Sequence, residues 1–163
     1  MKLYRINTIQ YFPITIGETW EFFSNPKNLA LITPPSLNLK ITSELPERMY
    51  PGMIITYHVS PIMGIQMTWV TEITHIDEPN LFIDYQQIGP YRFWHHQHLF
   101  REIKDGVEMQ DIVHYALPLG PLGRLINEII VREQLEKIFN FRRNFLEKRF
   151  GTIPRYKTKL EIV

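Results

Sequence analysis

The stretch PLGRLINEIIVREQLEKIFNFRRNFLEKRF (residues 121–150) decides how the rest of the chain is arranged. Apolar residues recur at Leu122, Leu125, Ile126 and Ile129, then at Leu135, Ile138, Phe139, Leu146 and Phe150. Spacings of three and four place them on one face of a helix. Charges such as Arg132, Glu133, Lys137, Arg143 and Glu147 fall mostly elsewhere. A helix of ~28 residues is ~42 Å long, more than the width of a small sheet. It needs a large concave apolar partner, and the upstream chain has to supply it.

That upstream chain reads mostly as strands. Residues 2–12 are rich in β-formers and end at Pro13, giving a first strand. Thr15 and Glu18 have the spacing of a capping box, so a short helix follows and buries Trp20, Phe22 and Phe23. Asn25-Pro26 starts a second short helix carrying Leu29 and Ile32, which stops before Pro34-Pro35. From there the period is two. Strands are predicted over 37–45, 53–60, 65–77, 81–88, 91–104 and 107–117, separated by Pro- and Gly-bearing turns. Pro118-Leu119-Gly120-Pro121 breaks the sheet and starts the long helix. Residues 151–163 read as a basic tail with no core of its own. Short turns make sequential strands antiparallel, and a twisted sheet of this size curls. A long helix laid across the concave side leaves space beneath it, either packed with aromatics or open to a ligand.

Composition narrows the function classes. At 163 residues the chain is most simply one domain, placed at 1–150 and followed by the tail. A net charge of +1 provides no whole-chain field for nucleic acid. The sequence has no cysteine, which excludes disulfides, zinc–thiolate sites and thiol catalysis. It fits a reducing compartment, and a cytoplasmic location is expected. Met1 to Arg5 carry polar residues too densely for a signal peptide, and no run of 18 apolar residues predicts a membrane span. There is no Gly-x-Ser-x-Gly, phosphate loop or dinucleotide fingerprint, so no cofactor is expected. The basic residues Arg142, Arg143, Lys148 and Arg149 suit the C-terminal end of a helix dipole and read as a solvated face.

The chemistry sits in the hairpin 91–117. Asp105-Gly106 is the strongest two-residue turn signal in the chain. A two-residue loop there pairs Lys104 with Val107, Phe100 with Asp111, His98 with Val113, His96 with Tyr115 and Trp94 with Leu117. All lie on the more apolar face, which should look toward the long helix. His98 and Asp111 are then diagonal neighbours within reach of a hydrogen bond. His95 points the other way. Three readings of the inward polar row stay open. It is a satisfied buried network, since a buried Asp is costly without a partner. It anchors the polar end of a cavity ligand, with His98–Asp111 as an acid–base pair in one variant. Or His96, His98 and Asp111 hold a metal, although no cysteine or further His on that face completes a set. No metal is expected. Trp94, His96, His98, Asp111, Tyr115, Trp69 and Met67 are the candidate ligand-binding residues, and His98 and Asp111 the candidate catalytic pair. In the strand before the hairpin, Phe82, Asp84 and Gln86 share one face and Leu81, Ile83 and Tyr85 the other; the loop at 78–80 does not fix which faces in. Tyr57 rather than His58 should face in, given Ile55 and Val59.

Several stretches carry a family resemblance. They are Glu18 to Pro26 (ETWEFFSNP) with Leu29, Ile32-Thr33-Pro34, Gly89-Pro90-Tyr91 with Trp94, His96, His98 and Phe100, and Asp111 through Pro118. Over about residues 2–150 the chain resembles the START / birch-pollen-allergen (SRPBCC) superfamily, in particular its polyketide cyclase/dehydrase-like branch of small bacterial proteins. The resemblance implies an α+β helix-grip fold: a curved seven-stranded antiparallel sheet, two short helices after the first strand, and a long C-terminal helix over a cavity. It also implies that the inward face of 81–88 is the one with Phe82, Asp84 and Gln86. The implied ligand is a small apolar or amphipathic molecule. Members of the superfamily include carriers, sensors and cyclases, so a binding protein, a cyclase/dehydratase-type enzyme and a non-catalytic module with a self-filled cavity all remain open.

Overall fold

The computed structural model describes residues 2–62, 64–118 and 120–163, without the side chains of residues 62, 124 and 127. Met1 and Leu119, used above in the readings of the N-terminus and of the sheet-to-helix break, lie outside the described residues. Strands β1 (Tyr4–Phe12), β2 (Lys40–Ile41), β3 (Met53–Ile62), β4 (Ile65–Asp77), β5 (Leu81–Ile88), β6 (Phe93–Ile103), β7 (Gly106–Ala116) and β8 (Lys159–Ile162) form one open sheet. Its order is β2-β3-β4-β5-β6-β7-β1-β8, and every neighbouring pair is antiparallel. β1 thus lies beside β7, so the chain's first strand joins its last hairpin.

The local signals explain most boundaries. Helix α1 (Ile16–Phe23) starts at the capping box: Glu18 N–H donates to Thr15 Oγ1 at 3.1 Å, and Thr15 N–H donates to Glu18 Oε2 at 2.8 Å. The second short helix, Pro26–Ala30, has the tighter 3-10 form, with Asn25 Oδ1 accepting from Lys27 N–H at 3.1 Å. A further 3-10 turn covers Pro35–Leu37. The strand expected over 37–45 shrinks to the two residues of β2, because Asn38 takes a left-handed conformation (φ 46°) and interrupts the extended run.

Two expectations need correction. Among the described residues the sheet has eight strands, where seven were expected. The last comes from the basic tail, whose Ile162 is buried against β1 while Ile153 is buried separately. The hairpin register also differs by two residues. Ile103 faces Gly106, so Lys104 and Asp105 form the loop and Gly106 already belongs to β7. Gly106 is there because of a close approach: a Cβ would lie 2.1 Å from the carbonyl oxygen of Phe12, and its φ is +149°. A shift of two keeps every side chain on its face, so the inward set stands. It moves His98 directly opposite Asp111, His96 opposite Val113 and Trp94 opposite Tyr115.

The long helical stretch is continuous but not uniform. It comprises α2 (Gly120–Ile126), a π-type turn (Asn127–Val131) and α3 (Arg132–Phe150). Gly151, with φ 85°, ends it, and its N–H donates to Glu147 O at 2.9 Å. α3 packs over the inner face of the sheet, with Leu135, Phe139 and Leu146 as its buried apolar residues. Leu135 and Phe139 join Tyr4, Ile6, Trp94 and Val113 in one apolar cluster. Leu146 joins Phe12, Trp20, Phe22 and Phe100 in another. A third cluster, with Met53, Ile55 and Tyr57, lines the β3–β4 side. Between the three lies a polar group and an open space. Among the described residues, no helix is long and apolar enough to cross a membrane.

Candidate functional site

Cross-strand pairing assembles the polar group. In the β5–β6 register Asp84 lies opposite His96 and Phe82 opposite His98. In the β6–β7 register His98 lies opposite Asp111, and β1 places Thr8 opposite Asp111. Phe82, Asp84 and Gln86 therefore face inward, as the resemblance implied. Phe82 stacks on His98 with ring centroids 4.1 Å apart.

The two imidazoles lie side by side, 3.8 Å between centroids, with a carboxylate at each edge. On the cavity side, Asp84 Oδ2 is 2.9 Å from His98 Nε2 and 3.2 Å from His96 Nδ1. On the far side, Asp111 Oδ1 is 2.9 Å from His98 Nδ1 and 3.2 Å from His96 Nε2. Those two far-side contacts have ion-pair length but lack the alignment of hydrogen bonds. Arg142 of α3 closes the group from above, with Nη1 3.5 Å from Asp111 Oδ2 and its guanidinium 5.1 Å from the Phe139 ring centroid.

Burial and charge oppose each other here. Burial alone would raise the Asp84 carboxyl, but the charge of His96 and the contacts with both imidazoles hold it well below the usual carboxylate range. Asp111 behaves the same way: burial is outweighed by His96 and His98, and the group stays ionised. Burial pulls the His96 imidazole down, but the Asp84 charge and contact with Asp111 raise it above its ordinary value. Burial also raises the Tyr57 phenol well above its normal range; its hydroxyl is paired with Thr71 Oγ1 at 2.7 Å.

Next to this group is a cavity of about 170 Å³ between the sheet, α1 and α3. Of the candidates named from the sequence, Trp69, Trp94, His96 and His98 line it. The other candidates lie elsewhere. Asp111 is 1% exposed and sits behind the histidines, so it can orient them but not touch a ligand. Tyr115 is fully buried beneath the wall, with its ring 6.2 Å from that of Trp94. Met67 is half-buried on β4 and does not line the cavity.

The wall also includes two charged residues that were not among the candidate ligand-binding residues. Asp84, placed inward only by the resemblance, lines the cavity with its side chain 17% exposed. Arg142 was read as part of a solvated basic face, but it is 8% exposed and lines the cavity. A signal for it was present. Arg142 falls on the stripe of Leu135, Phe139 and Leu146, at spacings of seven, three and four.

An open antiparallel sheet wrapped on a long C-terminal helix is an arrangement shared with solved structures. Protein TTHA0849 from Thermus thermophilus superposes with a TM-score of 0.67 at 14% identity, covering 90% of this chain and 96% of that one. Protein Ms6760 from Mycobacterium smegmatis gives 0.61 at 18% identity, over 89% and 92%. The chain has the helix-grip fold. Two further helix-grip structures are Ara h 8.0201, at TM-score 0.58 and 12% identity over 90% of this chain and 99% of that one, and StfQ. StfQ is a di-domain ARO/CYC from the steffimycin biosynthetic pathway; it matches at 0.61 and 10% identity over 92% of this chain and 53% of its own. No family model matches this chain, and no curated protein does.

Proposed function

We propose that the protein binds a small apolar or amphipathic molecule in the cavity beneath α3, with the polar end against Asp84, His96, His98 and Arg142. The observation that carries this reading is the composition of the wall. Aromatic and aliphatic side chains supply most of it, and the charged groups converge at one place, as in sites that bury an apolar body and orient one polar end. An apolar cavity of about 150 Å³ already admits a benzene-sized molecule. The free volume weighs against a cavity filled by its own aromatics.

Trp69 and Trp94 lie in the wall 5.4 Å apart and report on occupancy through their fluorescence. Titration with amphipathic aromatic and fatty-acid probes is expected to quench them saturably at one site. Ile138→Trp, which fills the cavity from α3, is expected to weaken that binding about tenfold or more. A folded protein that binds none of these probes saturably would sink the reading.

An acid–base enzyme of cyclase or dehydratase type is the second reading. It draws on His98, whose imidazole lines the cavity and makes an aligned 2.9 Å hydrogen bond to Asp84. In that case Asp84, not Asp111, is the partner on the ligand side, and Asp111 is a positioning residue. His98→Gln separates the two: a carrier keeps its ligand with a modest loss of affinity, whereas an enzyme keeps the ligand and loses turnover.

A further inference from the structure

We propose that Asp84, His96 and His98 form a binding site for a first-row divalent metal ion, with Asp111 orienting both imidazoles and the open coordination positions facing the cavity. The three ligand atoms, Asp84 Oδ2, His96 Nδ1 and His98 Nε2, lie within 4.8 Å of one another, and the two separations from the oxygen are 3.2 and 2.9 Å. Ligand atoms held ~2.0–2.1 Å from one ion are separated from each other by about 3 Å. His96 and His98 come from one face of β6, and Asp84 comes from the adjacent strand opposite His96. The donors are therefore fixed by sheet register rather than by a loop.

Asp111 carries the argument further. Each imidazole presents one nitrogen to Asp84 and the other to Asp111 Oδ1, at 3.2 Å for His96 and 2.9 Å for His98. A carboxylate behind a ligating histidine accepts its outer N–H, which fixes the tautomer and aims the inner lone pair; Asp111 stands at the distance for that role toward both rings, and turning the rings into line on binding the ion would complete it. Here one carboxylate serves two histidines of opposite tautomer. A divalent ion between the two inner nitrogens and Asp84 would use three groups that the sheet register already brings together at the cavity wall.

The surroundings define the metal and its further ligand. Two imidazole nitrogens and one carboxylate oxygen, with no thiolate in the chain, suit zinc, iron(II), cobalt(II) or nickel(II) rather than soft ions. Asp84, His96 and His98 all line the cavity while Asp111 does not. The vacant positions thus point at the space that, on the reading above, holds an apolar molecule. Asp84, Asp111 and Arg142 together leave one negative charge around two neutral imidazoles. A divalent ion turns this into one positive charge. The ligand it suits is an apolar molecule ending in an anionic oxygen: a carboxylate, enolate or phenolate.

The test uses the whole chain, stripped with a chelator and titrated with Co²⁺ in the absence of any organic ligand. One equivalent is expected to bind, with visible d–d bands, and one equivalent of Zn²⁺ is expected to raise the melting temperature and displace the bands. Asp84→Asn and His98→Gln are each expected to weaken binding at least about a hundredfold. Asp111→Asn should weaken it about 10–100-fold, as for loss of a carboxylate behind a ligand. His95→Gln, on the opposite face of β6, should leave it unchanged. Far-UV circular dichroism checks each fold; if a variant fails to fold, the wild-type stoichiometry and its reversal by chelator still decide. The proposal is overturned if folded wild type binds neither ion stoichiometrically. It is also overturned if binding survives Asp84→Asn combined with His98→Gln. Because no organic probe is present, failure here leaves the cavity reading intact, and failure of the organic screen leaves the metal result intact.

Discussion

The two halves of the C-terminal helical stretch carry the same kind of apolar stripe and meet different fates. In α3, Leu135, Phe139 and Leu146 are buried against the sheet. In α2 and the π turn, Leu122, Leu125, Ile129 and Ile130 are exposed, and of their neighbours Val131 is buried and Ile126 half-buried. The π turn at 127–131 separates the two regimes. An extra residue in one helical turn rotates all that follows, so the stripe before it and the stripe after it do not continue one another. A sequence period shows which residues share a face; it does not show whether anything covers that face.

The contrast can be tested from both sides. Leu146→Ala is expected to have the largest effect, about 2–5 kcal/mol in denaturant unfolding, because it empties a site with no exposure between Phe12, Phe22 and Val107. A cost under about 1 kcal/mol would show that α3 is not anchored there. Arg142→Met keeps the apolar stem but removes the charge beside Asp111, and is expected to cost about 1–3 kcal/mol. Native-state hydrogen exchange should find the amides of 120–131 less protected than those of 135–148 by about tenfold or more. Equal protection would mean that the first half is covered in solution. Leu125→Ala, at 53% exposure, should fall within about 0.5 kcal/mol of wild type.

Much of the fold was legible because its signals are local. The capping box at Thr15 and Glu18, the alternation in 65–77 and the Asp105-Gly106 turn of the hairpin each declare themselves within a short stretch of chain. What escaped is set by distance. β8 has four residues, and their partners in β1 lie 150 to 156 positions earlier. The face of β5 depended on a loop that does not fix register, so Asp84 could be placed only through resemblance. Gly106 was read as half of a two-residue turn, but it already belongs to β7, and the approach of the Phe12 carbonyl is what requires a glycine there. Arg142 escaped because residue type was weighed above position: its charge suggested solvent, its place on the stripe the interior. The candidates taken from the sequence thus include two histidines that line the cavity and a carboxylate, Asp111, that lies behind them.

The pairing of β8 with β1 has a consequence for solubility. An outermost strand offers a row of unpaired N–H and C=O groups to any passing chain. At one border of this sheet that role falls to β2, only two residues long. At the other it falls to β8, four residues long, with Lys159 and Glu161 exposed. Arg5 to Ile9 of β1, inward-facing Ile6 among them, are thereby kept from being a free border. A chain cut after Gly151 would present that stretch to its own kind, and light scattering of the shortened protein should report more self-association than that of the full chain.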